Sequence, residues 1–207
     1  SENFKGRQLH TNEYKNADEF IGQHVIIVGG GISAVQLLGE ISKVTKTSWV
    51  TRRPPDFRDY KFTEELGREA VAMVDKRVRV GLPVQSVVSV TGLPITPAIE
   101  GLLNKGVLDR KPMFDEITEN GVKWNDGTEL AADVIFWNTG FRHSLDHLAS
   151  LHLQNENDGI EMSGKLATQV AKDPRIHLTG YGPSASTIGA NRAGAAVARE
   201  IIATLEL

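Results

Sequence analysis

Three consecutive glycines, Gly29-Gly30-Gly31, followed by Ile32, Ser33 and Ala34, fit the pattern G-x-G-x-x-A. The chemistry open to such a turn is binding. Bare N–H groups at the start of a helix attract a phosphate, and the helix dipole adds to that attraction without any side-chain charge. In this pattern Gly29 permits a tight turn, Gly31 lets the backbone approach a pyrophosphate, and Ala34 lets the helix pack on the preceding strand. Ile32 and Ser33 would stand at the helix start that meets the phosphates. About 20 positions on, an acidic residue would bind a ribose 2′-hydroxyl and repel a 2′-phosphate. Arg52 and Arg53 stand there instead. Two guanidinium forks can pair with a phosphate dianion, so the spacing points to NADPH over NADH.

The elements needed to position these residues are legible on either side. His24 to Val28 is a short β-branched run, apolar after its first residue, suited to a strand covered on both faces. Val35, Leu38 and Ile41 return every three or four positions, so a helix follows the glycines, and Thr47 to Thr51 makes a second strand. Strand, turn, helix and strand form a βαβ unit with parallel strands. Further on, Thr63 can cap a helix with Glu64 and Glu65 in its first turn, running toward Val74. Val78 to Val90 reads as strand broken by Gly81 and Pro83, and Thr91 to Pro112 as a loop with a short helix near Ala98 to Leu103. Glu119-Asn120-Gly121 and Asn125-Asp126-Gly127 are turn signals bracketing Val122 and Trp124, which implies an antiparallel meander. Asp133 opens a buried strand, Val134 to Trp137, closed by Asn138-Thr139-Gly140-Phe141. Arg175 to Thr179 reads as a late strand, Gly180-Tyr181-Gly182-Pro183 as a turn, and the remainder as a helix through Leu205. Ser1 to Phe20 reads as an extended connector.

Composition narrows the classes. The chain has 207 residues, 40% of them hydrophobic and 24% charged, with a net charge of −3, which gives no general pull toward nucleic acid or an anionic membrane surface. No apolar run approaches the roughly 18 residues of a membrane span. There is no cysteine, which excludes disulfide scaffolds, thiolate metal sites and thiol redox chemistry within this chain. The residues after Ser1 show no apolar leader, so a cytoplasmic location is expected.

Phe4, Gly6, His10 and Tyr14 are spaced as F-x-G-x-x-x-H-x-x-x-Y just ahead of the glycine turn. On their residue types alone they would only anchor a connector. Together with Thr139-Gly140-Phe141 and Gly180-Tyr181-Gly182 in the same order, they resemble the flavin-containing monooxygenases and their Baeyer-Villiger relatives. The resemblance covers nearly the whole chain, with 57–112 matching poorly, and Pro183 after Gly182 departs from the family pattern.

The resemblance implies an α/β fold: a Rossmann-like NAD(P)-binding domain with a parallel sheet and a β-meander, plus the C-terminal part of an FAD-binding domain. Residues 1–20 would be a linker carrying Phe4, Gly6, His10 and Tyr14, 21–130 the NADP-binding domain, and 131–207 the flavin portion. Gly29, Gly31, Ser33, Arg52 and Arg53 would hold NADPH, while Thr139, Gly140 and Phe141 would lie near the flavin–nicotinamide junction. Gly180, Tyr181 and Gly182 would sit where a late flavin-contacting strand ends. The helix after them would aim its positive end at the flavin. Hydride would pass from NADPH to FAD, followed by oxygenation of a heteroatom or ketone in a small-molecule substrate. Because the family has an earlier glycine motif for FAD, a further N-terminal segment or partner chain is expected. Without it, the strands at 133–138 and 175–179 would have bare edges, which invites a homodimer.

Other constellations are weaker. His143, His147 and His152 with Asp146 share their segment with Leu145, Leu148 and Leu151, and no metal site is expected. Ser184, Ser186 and Thr187 lack spaced histidine and acid partners for nucleophilic catalysis. The small residues Gly189, Ala190, Ala193, Gly194, Ala195, Ala196 and Ala198 are read as close helix packing. The alternative functional reading is an NADP-binding regulatory or redox-sensing module without catalysis. A bound yellow chromophore in the full-length protein separates the two.

Overall fold

The computed structural model describes residues 4–59, 63–85 and 92–205, with backbone only at 187–188. The chain divides into two compact units, one formed by 1–61 and 92–141, the other by 62–91 and 142–207.

The first unit is built on five parallel strands: β1 (Arg7–His10), β2 (His24–Val28), β3 (Lys46–Thr51), β6 (Arg110–Pro112) and β10 (Val134–Trp137). They lie side by side in the order β1-β10-β2-β3-β6. Helix α1 (Ile32–Ile41) joins β2 to β3 and buries Ala34, Val35, Leu37, Leu38 and Ile41. Helix α3 (Pro97–Asn104), capped by Thr96, packs on it where Gly39 faces Leu102. Because side chains alternate across a sheet, Ile26, Val28, Val50 and Ile135 join Phe4, Phe114 and Val122 in one core. That core lies beneath an antiparallel meander of β7 (Glu116–Thr118), β8 (Gly121–Lys123) and β9 (Glu129–Ala131). Phe136 instead meets Phe20 and Tyr14 edge-on. A short parallel pair, β4 (Phe57–Arg58) and β5 (Leu93–Pro94), completes this unit.

The second unit contains α2 (Glu64–Arg79), short strands β11 (Met162–Ser163) and β12 (Gln169–Val170), and α4 (Thr187–Thr204). Its core gathers Val78, Leu153, Ile160, Met162, Ala167, Val170, Leu178 and Tyr181. Thr63 caps α2 as its sequence predicts, accepting from the Leu66 N–H at 3.2 Å. Among the described residues no helix is long and apolar enough to cross a membrane.

Several expectations are corrected. The connector contains β1, which pairs with β10 along Arg7↔Val134 to His10↔Trp137. Strand β10 is therefore paired on both sides, with β1 and β2, so the bare edge expected at 133–138 does not exist. It also ties 134–137 to the sheet of the first unit, which takes in 92–141, while the helix over 64–79 lies in the second unit. Helix α2 runs five residues past Val74 and takes Val78 and Arg79, which had read as strand. Residues 80–85 form no strand, and 86–90 of the expected strand lie outside the described residues.

Arg175 to Thr179 forms no strand beyond a single antiparallel bridge between His177 and Gln169. Pro174 has no N–H to give, and Arg175 turns back on Asp173 through two bonds of 2.9 and 2.7 Å. That local pair holds Asp173 below the usual carboxylate range, at about 2, with the Arg175 hydrogen bonds as the main cause.

Gly6 is the point where β1 closes on β10. A Cβ there would collide with the Asp133 carbonyl oxygen and lie 2.7 Å from Phe4 Cε1, while the next N–H, of Arg7, donates to that same oxygen at 2.9 Å. Gly6→Ala is therefore expected to lower stability by about 1–3 kcal/mol through overpacking, read as a shift in urea midpoint at unchanged slope.

Candidate nucleotide-binding site

All five strands of the sheet run the same way, so their carboxyl ends share one edge. The glycine turn follows β2, Arg52 and Arg53 follow β3, Asn138 to Phe141 follow β10, and Thr11 follows β1. From β2 the chain moves through α1 to β3 on one side, while β10 occupies the other. The turn thus opens at the place where strand connections diverge, which is where open parallel sheets form their binding crevice.

Gly29 lets the turn pass close against the end of β10 by what it lacks. Its φ is +145°, and a Cβ would collide with the Asn138 carbonyl oxygen and lie 2.8 Å from the carbonyl carbon. On the other side its N–H donates to the Val50 carbonyl at 3.0 Å and its carbonyl accepts from Trp49 Nε1 at 2.7 Å. Gly31, the N-cap of α1, has φ −97° and receives no side-chain cap. A Cβ on Gly31 would meet no atom within 4 Å. The two glycines therefore differ: the first is needed by neighbouring backbone, and the third faces open space. Ala34 is fully buried, as close helix–strand packing requires. Ile32 and Ser33 lie in the first turn of α1.

Arg52 and Arg53 are both exposed. The backbone beneath them is fixed, because the buried Thr51 hydroxyl donates to the Arg53 carbonyl at 2.7 Å. Thr139, Gly140 and Phe141 are exposed at the same edge, Gly140 with φ +84° and Phe141 80% exposed.

The aromatic-spaced motif serves mostly as architecture. Phe4 is in the core below the meander, and Gly6 admits the Asp133 carbonyl. Tyr14 stacks 6.3 Å from Phe20 and donates its hydroxyl proton to Glu40 of α1 at 2.6 Å. His10 is exposed at the end of β1, its N–H donating to Glu13 at 2.7 Å.

Gly180, Tyr181 and Gly182 belong to the second unit. Tyr181 is buried against His143, with ring centroids 4.7 Å apart, and its hydroxyl oxygen accepts from the Ile160 N–H at 3.4 Å. Burial pushes its hydroxyl pKa up. Gly182, at φ +58°, abuts Val78, while Gly180 at φ +79° donates its N–H to Ser184 Oγ. The start of α4 is capped by Ser186, whose Oγ accepts from Gly189 at 3.0 Å.

Sequence reasoning missed two residues at the crevice, Asn138 and Thr11. Asn138 is buried, and its Oδ1 accepts from the Thr11 hydroxyl at 2.9 Å. They lie 127 positions apart, so no local spacing could join them.

A groove of about 710 Å³ opens at the opposite, amino edge of the sheet, beside Lys5, Arg7, His24, Lys46 and Asp133. Its polar groups are largely engaged already. Lys5 pairs with Glu119, Arg7 bonds Gln23, and Asp133 accepts from the His24 N–H. The glycine turn, with its helix start uncapped by any side chain, is the better candidate. Among the described residues no three His, Asp or Glu side chains gather where a metal could be held.

A model of the family described as pyridine nucleotide-disulphide oxidoreductase matches residues 2–180. The chain belongs to that family. Within it, the similarity is to flavin monooxygenases. The chain is 24% identical over 189 residues to human flavin-containing monooxygenase 2, covering 78% of this chain and 35% of the relative. It is 44% identical over 52 residues to rat flavin-containing monooxygenase 5, covering 25% of this chain and 10% of the relative. A solved variant of the flavin monooxygenase from Stenotrophomonas maltophilia aligns with a TM-score of 0.75 at 32% identity, covering 99% of this chain and 57% of that one. The chain thus spans about a third of the length of the human relative and over half of the bacterial one.

Two outcomes follow from this geometry. Gly29→Ala should lower the melting temperature by several degrees, because a Cβ cannot share space with the Asn138 carbonyl, whereas Gly31→Ala should leave it within about 2 °C. Tyr14 adds a pH dependence. Burial, reinforced by the Glu40 carboxylate, raises its hydroxyl pKa in the fold. The unfolded chain then loses this proton first, so the contribution is intact below about pH 10 and is lost as pH climbs above it. The stability advantage of the unmodified chain over Tyr14→Phe should shrink in chemical denaturation series taken upward from that pH.

Proposed function

We propose that this chain supplies the NADPH site of a flavin-dependent monooxygenase, with the second unit contributing part of the FAD site. The observation that carries the reading is the pairing of an uncapped helix start at the strand-divergence point with two exposed arginines at the end of the adjacent strand. The residues present fit the group. Open space at Gly31 admits a pyrophosphate against the N–H groups of Ile32 and Ser33, and Arg52 and Arg53 offer guanidinium donors to a 2′-phosphate. Ala34 lets α1 sit close enough to β2 to aim those N–H groups outward.

When bound, NADPH supplies a hydride and the flavin accepts it and activates oxygen, the substrate being a small molecule with a soft heteroatom or a ketone. The chain's own residues bind and orient. Thr139, Gly140 and Phe141 stand at the same sheet edge as the turn, where the exposed Phe141 ring can shield a nicotinamide from water. In the second unit, Gly180, Tyr181 and Gly182 are the candidates for flavin contact, with backbone presented by the glycines and the Tyr181 ring committed to the core. The lack of cysteine leaves no thiol in this chain for disulfide exchange, which favours the monooxygenase side of the family, and fits a reducing cytoplasm.

Calorimetric titration of the chain and of its Arg52→Gln/Arg53→Gln double variant tests the assignment. The double variant should weaken NADPH binding by at least about tenfold, since each charge-assisted bond is worth roughly 1.5–3 kcal/mol, and leave NADH affinity within about twofold. Equal losses for both coenzymes would count against it.

A further inference from the structure

The geometry points to Thr11 and Asn138 as a latch that positions the glycine turn for its dinucleotide, a role that rests on the NADPH reading above. Asn138 is the residue against which Gly29 closes. Its backbone N–H donates to the Val28 carbonyl at 2.7 Å, and its carbonyl occupies the space a Cβ on Gly29 would need. Any shift of Asn138 therefore moves the path of the turn. The paired register of β10 with β2 runs only as far as Trp137↔Val28, and beyond that pair the main chain leaves the sheet.

What fixes Asn138 past that point is its side chain. Its Oδ1 accepts from the Thr11 hydroxyl at 2.9 Å, and that hydroxyl lies 3.3 Å from the Trp137 carbonyl as a second acceptor. Its Nδ2 reaches back to the Phe136 carbonyl at 3.4 Å. A buried carboxamide with its oxygen engaged by one hydroxyl has a single orientation, and losing the hydroxyl would leave the oxygen without that partner. Thr11 is itself held, because it opens a 3-10 turn whose end is tied by Glu13 to the His10 N–H. Three residues later, Tyr14 bonds Glu40 near the far end of α1. One short segment, 10–14, thus grips both the turn, through Asn138, and the body of the helix that starts there.

Asn138 abuts the glycine turn at Gly29, and Thr11 acts on the turn through Asn138, whereas the arginines follow β3. The latch should therefore tune affinity for the pyrophosphate part of the ligand and leave the 2′-phosphate end alone. Thr11→Val keeps the shape and removes the hydroxyl, and Thr11→Ser restores it. Affinities for NADPH and for 2′-AMP, which carries only the arginine-directed phosphate, are measured for the three chains. Thr11→Val should weaken NADPH about three- to tenfold, the range of one net hydrogen bond, with 2′-AMP unchanged and Thr11→Ser near the original.

Hydrogen exchange without ligand supplies a second readout: Thr11→Val should speed exchange at the Gly29 amide while exchange at Ile27, within the preceding strand, holds. A lower melting temperature with unaltered NADPH affinity and Gly29 exchange would make the contact merely structural and overturn the latch. Equal weakening of both ligands would overturn it too. Failure of the unmodified chain to bind either ligand would instead remove the NADPH reading itself, and the latch with it.

Discussion

The sheet of the first unit depends on one insertion: β10, more than a hundred residues after β2 in the chain, threads between β1 and β2. Val134, Ile135 and Phe136 are fully buried because both faces of the strand are covered, by the meander on one side and the Phe20–Tyr14 ring cluster on the other. At about 1.5–3 kcal/mol for each such side chain, this burial outweighs the cost of closing so long a loop. Asp133 secures the amino end, taking the Arg7 and His24 N–H groups on its carbonyl and carboxylate. At the carboxyl end the strand arrives so close to β2 that Gly29 can have no side chain. The glycine turn is thus shaped by a strand that the βαβ unit does not contain.

That constraint bears on how a chain of net charge −3 would present the proposed anion site. Charges beyond about 8 Å are largely screened at physiological ionic strength, so the overall sign matters little to a phosphate already in the crevice. What decides is local: helix N–H groups with no side-chain cap, open space at Gly31, and guanidinium groups at the neighbouring strand end. The helix-start contribution survives at any pH where the protein folds, because it titrates nothing. In the proposed reading, the arginines would add the term that distinguishes a 2′-phosphate from a hydroxyl.

Local pattern carried much of this in the sequence. The βαβ unit, the meander turns, the Thr63 cap and the helix at 97–104 follow from periodicity and turn chemistry within a few residues, and the structure has them. Pairing partners were not legible. Arg7 to His10 lacks apolar alternation because β1 is an edge strand, so it reads as connector until β10 is placed beside it. Arg175 to Thr179 fails the opposite way, with strand-like residues whose backbone is drawn into a local Asp173–Arg175 turn. Of the proposed site, Gly29, Gly31 and the arginines stand out by type and spacing. Thr11 and Asn138 do not, since an ordinary threonine and asparagine acquire meaning only when a sheet brings them together.

The spaced motif at the start of the chain shows why a family pattern and a functional site are different things. Phe4 fills a core, Gly6 makes room for a carbonyl, and Tyr14 fastens α1 through Glu40, so three of its four residues are accounted for by folding alone. His10 is the exception, exposed at the carboxyl end of the strand next to β10. The family's shared name refers to disulfide chemistry, yet this chain carries no thiol, so what it visibly shares with that family is the parallel sheet with its glycine turn. Fold thus accounts for where a coenzyme can sit, and the residues placed around the cradle decide which one does.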